Sequence, residues 1–236
     1  MIFPRKKIWL PLAAALILIL SSASLASPAE NSKTPENSVA DSMAADAKIA
    51  AALHQISPEH IRGNIEKLVS FGTRATISAQ DASAIASGRG VGAAREWIKS
   101  EFERYSKDCS GCLEVKTDTF TEPAAERIPQ PTQITNVYAI LKGSDPENAK
   151  RMVLVTGHYD SRNSDTFNVK DDAPGANDDG SGTAVSLECA RVLSKLKFPA
   201  TIIFLTVAGE EQGLNGSLHF AKNGEGTRLE YRSGFE

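Results

Sequence analysis

Two short apolar runs most constrain what this chain can fold into. Residues 152–156 read MVLVT and residues 201–207 read TIIFLTV. Neither alternates polar with apolar, which is the pattern of a strand buried on both faces. Between them, residues 181–196 repeat at helical spacing. Val185, Cys189, Val192 and Leu196 share one face, and Leu193 widens it. Gly180 and Gly182 permit a tight start to that helix. Strand, long loop, helix and strand make a βαβ unit of an α/β sheet. In such sheets ligands bind beyond the carboxyl ends of the strands. The polar residues in those positions are therefore the ones to examine.

The rest of the chain supplies further elements. Ser57 suits a helix N-cap, Pro58 its first turn and Glu59 its positive end. Ile61, Ile65 and Leu68 then share a face. A second helix is expected over 91–105, on Val91, Ala94, Ile98 and Phe102. Residues 113–119 alternate, with Glu114, Lys116 and Asp118 forming a charged strand face. Residues 134–141 are another strand candidate.

Ahead of these, Arg5, Lys6 and Lys7 precede an apolar run, 8–20, and then small residues. That is the layout of a secretory signal peptide over 1–26, with Ser24-Leu25-Ala26 as the cleavage site. The apolar run is short for a membrane span. The expectation is an exported protein, periplasmic or secreted, with no stable span after cleavage. Residues 27–56 read as a linker. In an exported protein Cys109 and Cys112 suit a local disulfide, and Cys189 reads as a buried thiol. The formal net charge of -3 gives no reason to expect nucleic acid.

Three polar clusters flank the βαβ unit. Gly157-His158-Tyr159-Asp160-Ser161 ends the first strand. A metal-binding histidine needs its second ring nitrogen held, commonly by a carboxylate, and Asp160 is placed to do so. Asp178 and Asp179 sit in the glycine-rich loop 174–182. Adjacent carboxylates repel one another, and a divalent cation removes that cost. Glu210 and Glu211 follow the second strand. Neighbouring side chains diverge, so one glutamate can bind metal while the other faces a reacting water. Singly, each cluster also has a structural explanation, as a strand end, a capping turn or a solvated loop. Together they offer nitrogen and oxygen donors of the kind zinc takes.

These clusters, with SFGTR at 70–74, TGHYDS at 156–161, PGANDDGSG at 174–182 and AGEEQGLNGS at 208–217, resemble the secreted two-zinc aminopeptidases. Relatives of that family include glutamate carboxypeptidases, glutaminyl cyclases and the protease-like domain of the transferrin receptor. The resemblance spans about 56–222. It implies a three-layer αβα fold on a central mixed, largely parallel sheet, and a catalytic domain over 57–222. It also implies two zinc ions and a peptide substrate. His158 would bind one zinc, Asp178 would bridge both and Glu211 would bind the other. Asp160 would orient His158, Glu210 would act as general base, and the Asp178–Asp179 peptide would be cis. Arg74 is expected to be structural.

The chain departs from the pattern after Glu211. The family uses a further aspartate and a distant histidine there, whereas this chain offers no aspartate and only His219, for which a structural role is expected. Residues 223–236 read as an atypical tail, with a frameshift as one origin. The domain is therefore expected to be incomplete at its C-terminus. The expected activity is zinc-dependent removal of N-terminal residues from peptides, impaired in this chain. A carboxypeptidase or dipeptidase on the same site, and a non-catalytic protease-like module, are the alternatives.

Overall fold

The computed structural model describes residues 47–223, so the expectations for residues 1–46 and for 224–236 of the tail lie outside the described residues. Helices α1 (Ala47–Leu53), α2 (Pro58–Val69), α3 (Ala82–Ser87) and α4 (Gly90–Asp108) lead into β1 (Leu113–Glu122), β2 (Thr132–Leu141) and β3 (Met152–His158). Helix α5 (Ser181–Leu193), β4 (Thr201–Val207) and α6 (Asn215–Asn223) follow. A helix thus occupies Ala47–Leu53, inside the stretch whose composition suggests a linker. Ser57 caps α2 by accepting the His60 N–H at 3.2 Å. Cys109 and Cys112 form a disulfide after α4.

The sheet is mixed, in the order β1-β2-β4-β3. β1 and β4 each run antiparallel to β2, and β3 runs parallel to β4. All seven residues of β4 are buried. Its side chains alternate between two apolar clusters. Ile202 and Phe204 pack with Leu68, Ile98 and Leu187 on one face, while Ile203, Leu205 and Val207 pack with Phe220 on the other. Helices α2, α4 and α5 therefore cover one face and α6 the other, giving three layers.

Two expectations about burial need correction. β3 pairs only with β4 among the described residues, so Val153 and Leu154 are 50% and 47% exposed rather than buried on both faces. Helix α5 buries Thr183, Ala184, Leu187 and Ala190 most deeply; of the expected stripe Val192 is buried, Cys189 and Leu193 pack half-buried against the core, and Val185 is exposed. The reason is close backbone approach through small residues. A Cβ on Gly157 of β3 would stand 2.4 Å from the carbonyl carbon of Gly182 in α5, so the helix presses its small-residue face against the strand. The Ser186 hydroxyl lies 3.3 Å from the Val155 and Leu205 carbonyls, on the same face. The charged face of β1 is likewise not simply solvated. His219 of α6 stacks on Phe120 with ring centroids 3.9 Å apart and meets Asp118 Oδ1 at 3.2 Å. His219 is structural, as expected.

Arg74 ties the loops together. It is wholly buried. Its Nε donates to the Tyr159 carbonyl at 2.7 Å, Nη1 to those of Leu68 and Pro174 at 3.0 and 2.8 Å, and Nη2 to that of Gly175 at 2.9 Å. One guanidinium thus fastens the end of α2, the loop after β3 and the turn before α5. Burial lowers its pKa to about 10, against the opposing charges of Asp160 and Asp179.

Two outcomes are expected. Arg74→Met strands those carbonyls and should cost about 3–5 kcal/mol in urea unfolding; a loss under 1 kcal/mol would show the loops to be held by other contacts. Val153→Lys charges the open strand edge and should reduce light scattering at high protein concentration, with little change in melting temperature.

Candidate metal centre

The parallel register sets His158 opposite Val207. The loops that leave β3 and β4 therefore emerge side by side, with His158-Tyr159-Asp160 on one and Gly209-Glu210-Glu211 on the other. Helix α5 packs against both strands, and the turn Ala176–Gly180 leading into it brings Asp178 and Asp179 to the same end of the sheet. The Asp178–Asp179 peptide is cis, as the family resemblance implies.

Asp160 is the fully buried centre of the arrangement. Its Oδ2 accepts the Thr76 hydroxyl at 2.8 Å and the Glu211 N–H at 3.2 Å, and Oδ1 accepts the Glu210 N–H at 3.4 Å. The Thr76 oxygen in turn accepts the Gly209 N–H at 3.2 Å. Asp160 thus fixes the backbone of both glutamates. Its hold on the histidine is also partly through the main chain: His158 Nδ1 lies 3.2 Å from the Asp160 carbonyl and 3.5 Å from Oδ1. Asp179 holds the other side of His158. It accepts the His158 N–H at 3.0 Å and the Gly182 N–H at 2.8 Å, fastening β3 to the start of α5.

With Nδ1 so held, Nε2 of His158 faces Asp178 Oδ1 at 3.1 Å and Glu210 Oε2 at 3.8 Å. Burial disfavours the imidazolium. The hydrogen bond to Asp160 and the charges of Asp160, Asp179 and Glu210 outweigh it and raise the pKa to about 9. Glu211 is 11% exposed at its side chain, and its Oε2 accepts from Arg162 Nε at 2.7 Å. Its pKa is raised, chiefly by burial and further by Asp160 and Asp178, with Arg162 pulling the other way.

The donor set fits zinc in kind: an imidazole whose second nitrogen is fixed, and carboxylates from two loops. It falls short in number. As placed, no three His, Cys, Asp or Glu side chains among the described residues close on a common point, whereas a catalytic zinc takes three protein ligands.

The structure thus brings His158, Asp160, Asp178 and Glu210 together, with Glu211 fastened beside them by its own N–H. Reading the residues alone missed Thr76 and Arg162, and gave Asp179 a different role. Thr76 carries no signal beyond its nearness to SFGTR. Asp179 looks like a second metal carboxylate in sequence, yet both its oxygens are spent on N–H groups.

Several known proteins are similar to this chain. Residues 136–233 match the pattern of peptidase family M28. A probable zinc metalloprotease of Leptosphaeria maculans is 47% identical over 178 residues, covering 75% of this chain and 40% of the relative. Another from Pyricularia oryzae is 45% identical over 190 residues, covering 80% of this chain and 36% of the relative. The chain therefore spans well under half the length of the curated relatives it matches. Among solved structures, a zinc aminopeptidase from Bacillus subtilis shares the fold at a TM-score of 0.52 and 18% identity, covering 71% of this chain and 65% of that one. The glutaminyl cyclase of Fimbriiglobus ruber shares it at 0.53 and 20%, with 71% and 55% covered. Shared fold, matching pattern and the relatives' zinc-protease character lead to one conclusion: the chain belongs to peptidase family M28.

Proposed function

We propose that this chain carries part of a zinc-dependent exopeptidase site that removes N-terminal residues from peptides. The observation that carries the reading is the meeting of His158 Nε2, Asp178 and Glu210 at the sheet end where Glu211 is also fastened. His158 and Asp178 would hold one zinc, and Asp178 and Glu211 a second. Bound zinc would supply a Lewis acid for the scissile carbonyl and for water. Glu210 would take a proton at its carboxylate from the attacking water and pass it to the leaving amine. Asp160 would keep His158 oriented and the Glu210 and Glu211 backbones in place without touching substrate. Further ligands after Glu211 are wanting among the described residues, where only His219 follows and is engaged by Asp118. We also propose export as the chain's destination, on the strength of residues 1–26.

Zinc titration against a chelating indicator tests the metal assignment. His158→Ala should weaken binding by more than the ~10–100-fold that loss of an outer partner costs. Glu210→Gln should leave it nearly unchanged while any aminoacyl-anilide hydrolysis falls by about 100-fold or more. Equal zinc affinity in parent and His158→Ala would remove this reading. Carboxyl-terminal trimming of peptides, with anilides untouched, would favour a carboxypeptidase on the same residues. Affinity should also rise with pH. Zinc takes the neutral ring, so below about pH 9 a proton must leave His158 before the metal binds. Raising the pH from 6 to 8 should tighten zinc binding, by up to about tenfold per unit if one proton is displaced.

A further inference from the structure

Arg162 stands in the loop after β3, beyond the residues that the family pattern explains. Its Nε donates to Glu211 Oε2 at 2.7 Å. Arg127 donates from Nη1 to the Glu211 main-chain carbonyl at 3.2 Å and leaves the carboxylate alone. Among the described residues one side chain, Arg162, therefore supplies the positive charge that touches the carboxylate of Glu211.

Several features make this contact exchangeable rather than architectural. The Arg162 side chain is 40% exposed, whereas that of Glu211 is largely buried. Only Nε reaches the carboxylate, not a two-pronged guanidinium grip of the sort Arg forms in fixed pairs. The remaining bond, Nη1 to the Asn163 carbonyl at 3.4 Å, is long and local. The loop between His158 and the turn at Ala176 contains no helix or strand, so Arg162 can swing towards solvent without disturbing the sheet. Arg74, in contrast, is locked to four carbonyls and cannot exchange.

We propose that Arg162 is a built-in counter-cation that occupies Glu211 when metal is absent and must leave it for metal to bind. Asp160, Asp178, Glu210 and Glu211 crowd the end of the sheet, and like charges so placed repel. Arg162 offsets part of that repulsion in the metal-free protein. A divalent ion and a guanidinium compete for the same carboxylate oxygen and repel each other across it. The inference rests on Glu211 being a metal ligand.

Zinc affinity of the 236-residue chain, measured by competition with a chelating indicator, tests this. Arg162→Met keeps much of the side-chain stem and removes the charge. It should bind zinc about tenfold more tightly, the scale of one charged hydrogen bond given up on binding. Arg162→Lys should stay near the parent. In a Glu211→Gln background the Arg162→Met gain should vanish, since the competition then has no object. Damage to the fold can only weaken binding, so tightening separates displacement from a structural role. Unchanged or weaker binding in Arg162→Met, with the parent binding zinc, overturns the proposal for Arg162 and leaves the metal site standing. Zinc uptake by neither chain overturns both.

Discussion

One buried carboxylate organises this end of the molecule. Asp160 has no exposed surface, and its oxygens are shared among the Thr76 hydroxyl and the N–H groups of Glu210 and Glu211. A carboxyl group so deep in a protein is tolerable only when its oxygens are met by hydrogen-bond partners. Here the donors are the backbone of the very loop that presents two glutamates, so solvating Asp160 and placing those glutamates are one act. The neighbouring residues complete the frame. Asp179, only partly buried, accepts the N–H groups of His158 and Gly182, and Arg74 lies behind both aspartates with its charge set against theirs. The fold thus uses two aspartates as fasteners and gathers Asp178, Glu210 and Glu211 at the same end of the sheet, with Asp178 against His158 and Glu211 against Arg162.

The parallel pairing of β3 with β4 is what makes that fastening possible. With His158 beside Val207, two loops leave the sheet at the same height. The small residues of α5 allow the helix to come down on β3, and its leading turn then lands beside His158. The grouping of one imidazole with several carboxylates at this position is therefore a consequence of strand direction and close helix packing.

Much of this was legible in the residues, and the failures have physical causes. The two apolar runs, the capped start at Ser57 and the long helix ending near Tyr105 all announce themselves, because periodicity and capping are local properties. His158, Asp160, Asp178 and the double glutamate were legible because their order along the βαβ unit is itself the signal. The buried face of α5 was not. Beside Leu187 and Val192 that face is made by Thr183, Ala184, Ser186 and Ala190, and hydrophobic periodicity is blind to packing by small residues. The exposure of β3 was missed because an unbroken apolar strand reads the same in the middle of a sheet and at an edge of the described one. Thr76 and Arg162 act across 84 and 49 residues of chain, on Asp160 and Glu211, and no local pattern reports such partners.

The central claim is that imidazole and carboxylate from separate loops share one metal. X-ray absorption at the zinc edge, on the zinc-loaded chain, reads that shell directly. The structure predicts nitrogen and oxygen neighbours at about 2.0–2.2 Å, with the outer-shell scattering of one imidazole and no sulfur. A sulfur neighbour near 2.3 Å, or a shell of oxygen with no imidazole, would contradict it.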